Sequence, residues 1–353
     1  MLNLEFFNRP TNITARVIAD SISEAGIRIT TFEVEYPRIV MSEFNTHRAV
    51  SKNSSSSRAI PVSKMLEHTV KMNLKPVYFG AKQSGMQAGE ELAGEDLQYA
   101  KDVWESALKS AVGQAELLDE CGVAKEVTNR LVEPFQLVKV VCTATDWDNF
   151  FNLRLHPDSD PNICMLAYKM YEAMKESKPS LLKVNEWHLP YCSKRNILCR
   201  ETNEIIEVEY GYLEVPSGVR GLVFNELTLE EAIKYSAASC ASVSYRTEGM
   251  TLEKADKIFD MLINAEVIHA SPFEHLATPI VEKFAYLDED DLDSGYEVNL
   301  PHHMDSWEKG VTHMNRQGEL CSGNLRGFIS YRHQLPNNTN WSFDYEERMK
   351  LFN

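Results

Sequence analysis

The pattern of apolar and polar positions predicts a chain that mixes strands and helices. Ile27-Arg28-Ile29-Thr30-Thr31-Phe32-Glu33-Val34-Glu35 alternates and is rich in β-branched residues, as a half-buried strand requires. With residues 13–23 it forms an expected hairpin around the turn Glu24-Ala25-Gly26. Pro37 permits a short helix over 38–46, and Pro61 opens another. Residues 80–94, rich in Gly, Gln and Ser, read as a surface loop. Residues 95–120 form the plainest predicted helix. Leu97, Ala100, Val103, Trp104, Ala107, Leu108, Ala111, Val112, Ala115 and Leu118 keep three-four spacing, and Gly122 suits its end. That stripe reads as core or subunit packing rather than a cofactor contact. A second helix is expected over 123–133, carrying Asn129 and Arg130 just before Pro134.

Residues 179–225 read as a mixed connector with short strands at 186–191 and 207–212. Thr228-Leu229-Glu230-Glu231 is a capping box opening a helix to about residue 240, and Thr251 caps another over 252–264. Residues 281–310 are acidic and loop-like.

Composition narrows the function classes. The chain has 353 residues, enough for one large core or two domains. Apolar content of 43% and charged content of 25% suit a soluble globular protein. A net charge of −16 argues against non-specific nucleic-acid binding. No run approaches the ~18 apolar residues of a membrane span. The start of the chain lacks a signal-peptide pattern, which predicts a cytoplasmic protein. The seven cysteines are scattered; the nearest two, Cys192 and Cys199, lack zinc-site spacing, so reduced thiols are expected. His302-His303 reads as a solvated pair rather than a metal site, and no metal is expected.

One stretch departs from that acidic average. Between Glu43 and Glu67 there is no carboxylate, while His47, Arg48, Lys52, Arg58 and Lys64 lie within it. Ser54 to Ser57 offer short hydroxyls and unhindered N–H groups, the makings of an anion-holding turn. Arg48 and Arg58 can grip phosphate in two-pronged fashion. A serine-rich linker has similar composition, but apolar residues flank this run directly: Ile39, Val40 and Met41 before, Ile60, Val62, Met65 and Leu66 after.

His47-Arg48-x-x-Ser51-x-Asn53-x-x-Ser56-x-Arg58 resembles the flavin-dependent thymidylate synthase signature, R-H-R-x-x-S-x-N-E-x-S-x-R-Y. Thr46, Ser54 and Ala59 stand where the family has Arg, Glu and Tyr, a variation similar to bacteriophage members. Asn149-Phe150-Phe151-Asn152-Leu153-Arg154 resembles the family's N-F-x-x-L-R element, and 155–178 its following helix. On a helix Asn149 and Arg154 are offset by ~140°, so they need not share one face, though both can border one pocket. His269-Ala270-Ser271-Pro272-Phe273-Glu274-His275 resembles H-x-[ST]-P-F-E-H, which ordinary members carry before the R-H-R loop. Residues 237–246 resemble the family's N-terminal segment. The displaced order implies a circularly permuted member.

The resemblance implies an α+β fold of that family. It divides the chain into a flavin- and nucleotide-binding core at 1–178, a connector at 179–231 and a permuted segment at 232–353 that completes the core. It implies a homotetramer with sites shared between subunits. The family takes a one-carbon unit from methylenetetrahydrofolate to convert dUMP into dTMP, with hydride from FAD reduced by NADPH. By position, Thr46, His47, Arg48, Asn53, Asn149, His269 and Ser271 would meet FAD. Ser55, Ser56, Ser57 and Arg58 would hold the phosphate of the pyrimidine deoxynucleotide, with Arg130 reaching in from another subunit. Arg154 would sit by the pyrimidine as the catalytic cation, and Glu43 would also contact the nucleotide. A carboxylate at Glu43 suits a donor on the base, which leaves dCMP open as substrate. Arg326 and Arg332 are candidates to replace the cation absent at Thr46. A non-catalytic nucleotide-binding protein is the remaining alternative.

Overall fold

Ser23 and Ile27 close a tight hairpin: Ser23 N donates to Ile27 O at 2.9 Å, and Gly26 N to Ser23 O at 2.9 Å. Gly26 adopts φ +80°, a conformation that favours glycine. The strands are β1 (Thr14–Ser23) and β2 (Arg28–Pro37). The computed structural model describes residues 4–198, 205–214, 223–243, 249–281, 307–339 and 343–352. Residues 244–246 of the expected N-terminal-like segment, Cys199, His302 and His303 lie outside these, as does most of the acidic stretch. The chain forms two compact units. One comprises Met1–Ser21, Arg28–Ser180 and Ser242–Gly249; the other comprises Ile22–Ile27, Leu181–Ala241 and Met250–Asn353.

In the first unit a 3-10 turn and helix α1 (Met41–Asn45) follow Pro37, as the proline predicts. Next come β3 (Ser51–Ser54), a 3-10 turn over Ser57–Ala59, and α2 (Val62–Met72). Helix α3 (Gly94–Glu120) runs the expected length, and Gly122 takes φ +76° beyond it. Only part of its stripe is core: Leu108, Val112 and Ala115 pack on Val62, Met65 and Leu66 of α2, while Val103 is exposed. The helix expected over 123–133 is instead a single turn, α4 (Lys125–Thr128), continued as a 3-10 segment Asn129–Phe135 containing Pro134. A proline lacks the N–H that an α-helix requires and crowds the preceding turn, which accounts for the change.

The sheet runs β3-β4-β2-β1, where β4 is Leu137–Ala144. β4 is antiparallel to both neighbours; its residues 137–144 pair with Pro37 back to Thr30. Its residues 140–143 pair on the other edge with Ser54 back to Ser51. Helices α5 (Asp148–Arg154) and α6 (Pro161–Glu176) follow. Asp160 caps α6, accepting from Asn162 N at 2.8 Å and Ile163 N at 3.4 Å. Ile163, Leu166, Ala167 and Met170 join Phe32, Val34 and Tyr36 of β2 and Val138, Val140 and Cys142 of β4 in one buried cluster. Arg28 pairs with Asp20 at 2.6 Å and donates to Met174 O at 3.0 Å, fixing the end of α6 to the hairpin.

β5 (Ser180–Leu182) marks the boundary between the units. In the second unit β6 (Ser193–Leu198), β7 (Ile205–Glu214) and β8 (Val223–Leu227) form an antiparallel sheet. The strand expected over 207–212 lies inside β7. Residues 186–191 contribute only an isolated bridge, His188 to Ala277; Tyr191 at φ +67° breaks extended pairing. The capping box forms as expected: Glu231 N donates to Thr228 Oγ1 at 3.3 Å and Thr228 N to Glu231 Oε2 at 2.8 Å, opening α7 (Leu229–Ala241). Thr251 caps α8 (Leu252–Ile263). His188 and His275 are buried in this unit, and burial, with His188 nearby, pushes His275 down to about 3.

Candidate active site

Arg154 ends α5, and its guanidinium ties together residues 107 and more positions away. Nε donates to His47 Nε2 at 2.8 Å, and a second nitrogen donates to Thr46 Oγ1 at 3.1 Å and Glu43 O at 3.4 Å. Thr46 Oγ1 in turn donates to Glu43 O at 2.6 Å. Thr46 therefore supports Arg154 here. His47 accepts at Nε2, so its proton belongs on Nδ1. Burial first, then the Arg154 and Lys52 charges, push His47 down to about 4. A neutral ring is what a hydrogen bond from Arg154 needs.

Local packing explains why these groups meet. Phe150, on the buried face of α5, packs edge-on against Phe44 at 5.6 Å, Trp147 at 6.0 Å and the His47 ring at 4.9 Å. Lys52, opposite Cys142 in the β3–β4 register, bends back under the turn. Its ammonium donates to Val50 O at 3.1 Å and to His47 O, and sits 5.3 Å from the centre of the Phe44 ring. The sequence offers Lys52 only as one more positive charge; in the fold it braces the turn carrying His47 and Arg48. Glu43 is partly exposed, and its carboxylate accepts from Ser42 Oγ at 2.8 Å.

The serine run is ordered by its own hydroxyls. Ser55 N donates to Lys139 O at 2.8 Å, and Lys139 N returns a bond to Ser55 Oγ at 3.2 Å. Ser56 Oγ caps the following turn by accepting from Arg58 N at 3.3 Å. Ser57 is buried and donates to Glu133 Oε1 at 3.0 Å. Arg58 and Arg130 are exposed. Three residues not assigned to the site from sequence hold this loop. Asn129 donates to Ser57 O at 2.8 Å and Ile60 O at 3.0 Å. Arg38 donates to Ser55 O at 3.3 Å, and Glu133 meets Ser57. No spacing in the chain points to these contacts, since they depend on the pairing of β4 with β2 and β3.

Of the positions expected to meet FAD, Arg48 and Asn149 are exposed and Asn53 is partly exposed, all in the first unit. A cation with two carboxamides is a donor set that suits a diphosphate and the edge of a ring, so these residues fit the group. His269 and Ser271 belong to the second unit; both are exposed, and His269 N donates to Leu262 O at 3.2 Å. Arg326 pairs with Glu319 at 2.9 Å and Arg332 pairs with Glu274, both within that unit. Among the described residues no three His, Cys, Asp or Glu side chains cluster as metal ligands, and no helix is long and apolar enough to cross a membrane.

Comparison with known proteins bears on this geometry. No curated protein matches the sequence. Solved structures similar to the chain include two of a UMP/dUMP methylase, PolB from Streptomyces cacaoi, one bound with 5-Br UMP and one with 5-Br dUMP. Each is 16% identical and covers 47% of this chain, with 90% and 91% of PolB covered and TM-scores of 0.38 and 0.37. A family model described as Thy1, thymidylate synthase complementing protein, matches residues 27–180. That range coincides with the main segment of the first unit and contains both the His47 turn and Arg154. Residues 27–180 thus match the Thy1 family model, over less than half of the chain.

Proposed function

We propose that the protein is an enzyme that methylates C5 of a pyrimidine nucleotide, converting dUMP to dTMP with a one-carbon unit from methylenetetrahydrofolate. The observation that carries this reading is the Arg154–His47 hydrogen bond. It joins two motif segments far apart in sequence, inside the stretch that matches Thy1. When bound, FAD reduced by NADPH would supply the hydride needed to complete the methyl group.

Arg48, Asn53 and Asn149 of the first unit would hold FAD. Thr46 and His47 line the same place and hold Arg154. The fixed Arg154 charge would lie by the pyrimidine and favour its ionised form, because a nearby cation lowers an acid's pKa. Ser55, Ser56, Ser57 and Arg58 would receive the phosphate, with Arg130 of a second subunit of a homotetramer.

A second reading is favoured by Glu43, whose carboxylate lies one helical turn from Thr46. It would accept from the amino group of cytosine, making dCMP the substrate for methyl or hydroxymethyl transfer.

One experiment tests both. Purified protein is denatured to measure released flavin, then assayed with dUMP and dCMP, methylenetetrahydrofolate, FAD and NADPH, with products identified by mass spectrometry. Flavin with a product 14 mass units above dUMP is expected. Flavin with product from dCMP alone selects the second reading. Absence of flavin binding even with FAD added would leave a non-catalytic nucleotide-binding protein.

A further inference from the structure

Folding brings a carboxylate to the stretch that the sequence keeps free of them. Glu133 arrives on the 3-10 segment before β4, and its Oε1 accepts the Ser57 hydroxyl at 3.0 Å. The same oxygen lies 3.6 Å from the Arg38 guanidinium, whose other terminal nitrogen donates to Ser55 O at 3.3 Å. The ion pair is long, since charge-assisted N–H···O⁻ bonds settle near 2.7–2.9 Å. Arg38 is largely buried, and that burial lowers its pKa despite the nearby Glu133.

The surroundings are under-satisfied. Among the described residues Arg38 Nε, Gln136 Nε2 and Asn129 Oδ1 are buried with no hydrogen-bond partner. Gln136 is 4% exposed and Asn129 0%. All three residues touch this loop or its clamp: Arg38 N donates to Gln136 O at 2.9 Å, and Asn129 holds Ser57 O. Two of the three orphan atoms are donors. Leaving a buried donor unpaired is costly, so Arg38 Nε and Gln136 Nε2 leave this clamp short of acceptors, a shortage that the single, loosely held Glu133 carboxylate does not make up.

We propose that Glu133 is a built-in competitor for the nucleotide's phosphate at the serine loop, and that Arg38 is the cation the two anions share. Glu133 holds the hydroxyl of Ser57 in the absence of ligand. An arriving phosphate must take that hydroxyl and displace the carboxylate, so Glu133 sets how tightly the loop takes an anion. This inference rests on the assignment of Ser55–Arg58 to the nucleotide phosphate.

The test is calorimetric titration of inorganic phosphate, dUMP and deoxyuridine into wild type, Glu133→Gln, Arg38→Met and the double variant. Glu133→Gln keeps size and hydrogen bonding while removing the charge. It is expected to tighten phosphate and dUMP about tenfold and to leave deoxyuridine unchanged. Arg38→Met should weaken both anions about tenfold, with the double variant returning near wild type. Unchanged or weaker phosphate and dUMP binding in Glu133→Gln overturns the proposal, as does an equal gain for deoxyuridine. If dUMP binds wild type and neither dUMP nor inorganic phosphate responds to Glu133→Gln, the nucleotide reading stands and the competitor falls. If only inorganic phosphate responds, the anion site stands and the nucleotide reading falls. A Glu133 that served packing alone would shift the melting temperature without separating dUMP from deoxyuridine.

Discussion

Arg58 and Arg154 show how differently a fold can hold two guanidiniums. Arg154 is fixed from three directions, by His47, Thr46 and the Glu43 carbonyl, before any ligand arrives. Arg58 is exposed and lies just after the turn that Ser56 caps. Replacing Arg58 by Ala should weaken nucleotide binding by about 2 kcal/mol, at the low end for truncating a charged partner because the side chain starts in water. Lysine at this position should restore part of the loss, since it keeps charge without the two-pronged geometry. Flavin content should survive both changes. Titration of dUMP with parallel flavin quantitation checks this; unchanged nucleotide affinity would remove the serine loop from the phosphate site.

Among elements, α5 matters most for the site, and an aromatic cluster holds it. Phe150 is 2% exposed and touches Phe44, Trp147 and His47. Phe150→Ala should cost about 3–5 kcal/mol by the usual penalty for emptying an aromatic core position. It should also loosen Arg154, weakening dUMP binding together with stability in urea unfolding and calorimetry. Elements of this kind were legible in the sequence wherever local chemistry decides them. Gly26 marks the hairpin, the three-four spacing marks α3, and Thr228 with Glu231 writes its own cap. The 123–133 segment departs from expectation because Pro134 crowds the turn before it, and the α-helix gives way to 3-10 geometry from Asn129. The Arg38–Glu133–Asn129 clamp was invisible because Arg38 follows β2 while Asn129 and Glu133 precede β4, two segments that only sheet pairing brings to the serine loop. Half-exposed α3 shows the same limit: periodicity marks a face without saying what covers it.

At the scale of the whole molecule, buried neutral histidines make acid the condition to examine. His47 in the first unit is pushed down to about 4 and His275 in the second to about 3, both by burial first. Each ring takes up a proton more readily unfolded, near 6.5, than folded. Their contribution is therefore complete above pH 6.5, and falls by about 1.4 kcal/mol per pH unit per histidine below it. The loss ends near pH 4 for His47 and near pH 3 for His275. Melting temperature measured from pH 7 to 4 should drop accordingly, and His275→Gln should flatten part of the slope; a flat wild-type profile would contradict it. Strand β4 has a different consequence. It is bonded on both edges over Val140–Thr143, so its amides meet solvent only when the sheet itself opens. Those amides should exchange hydrogen for deuterium most slowly in the first unit, at a rate reporting its global opening. Ser55 hangs from the same strand through Lys139. A nucleotide that closes on the serine loop would then slow exchange along β4 as well, recording occupancy of the surface in the least accessible part of the sheet.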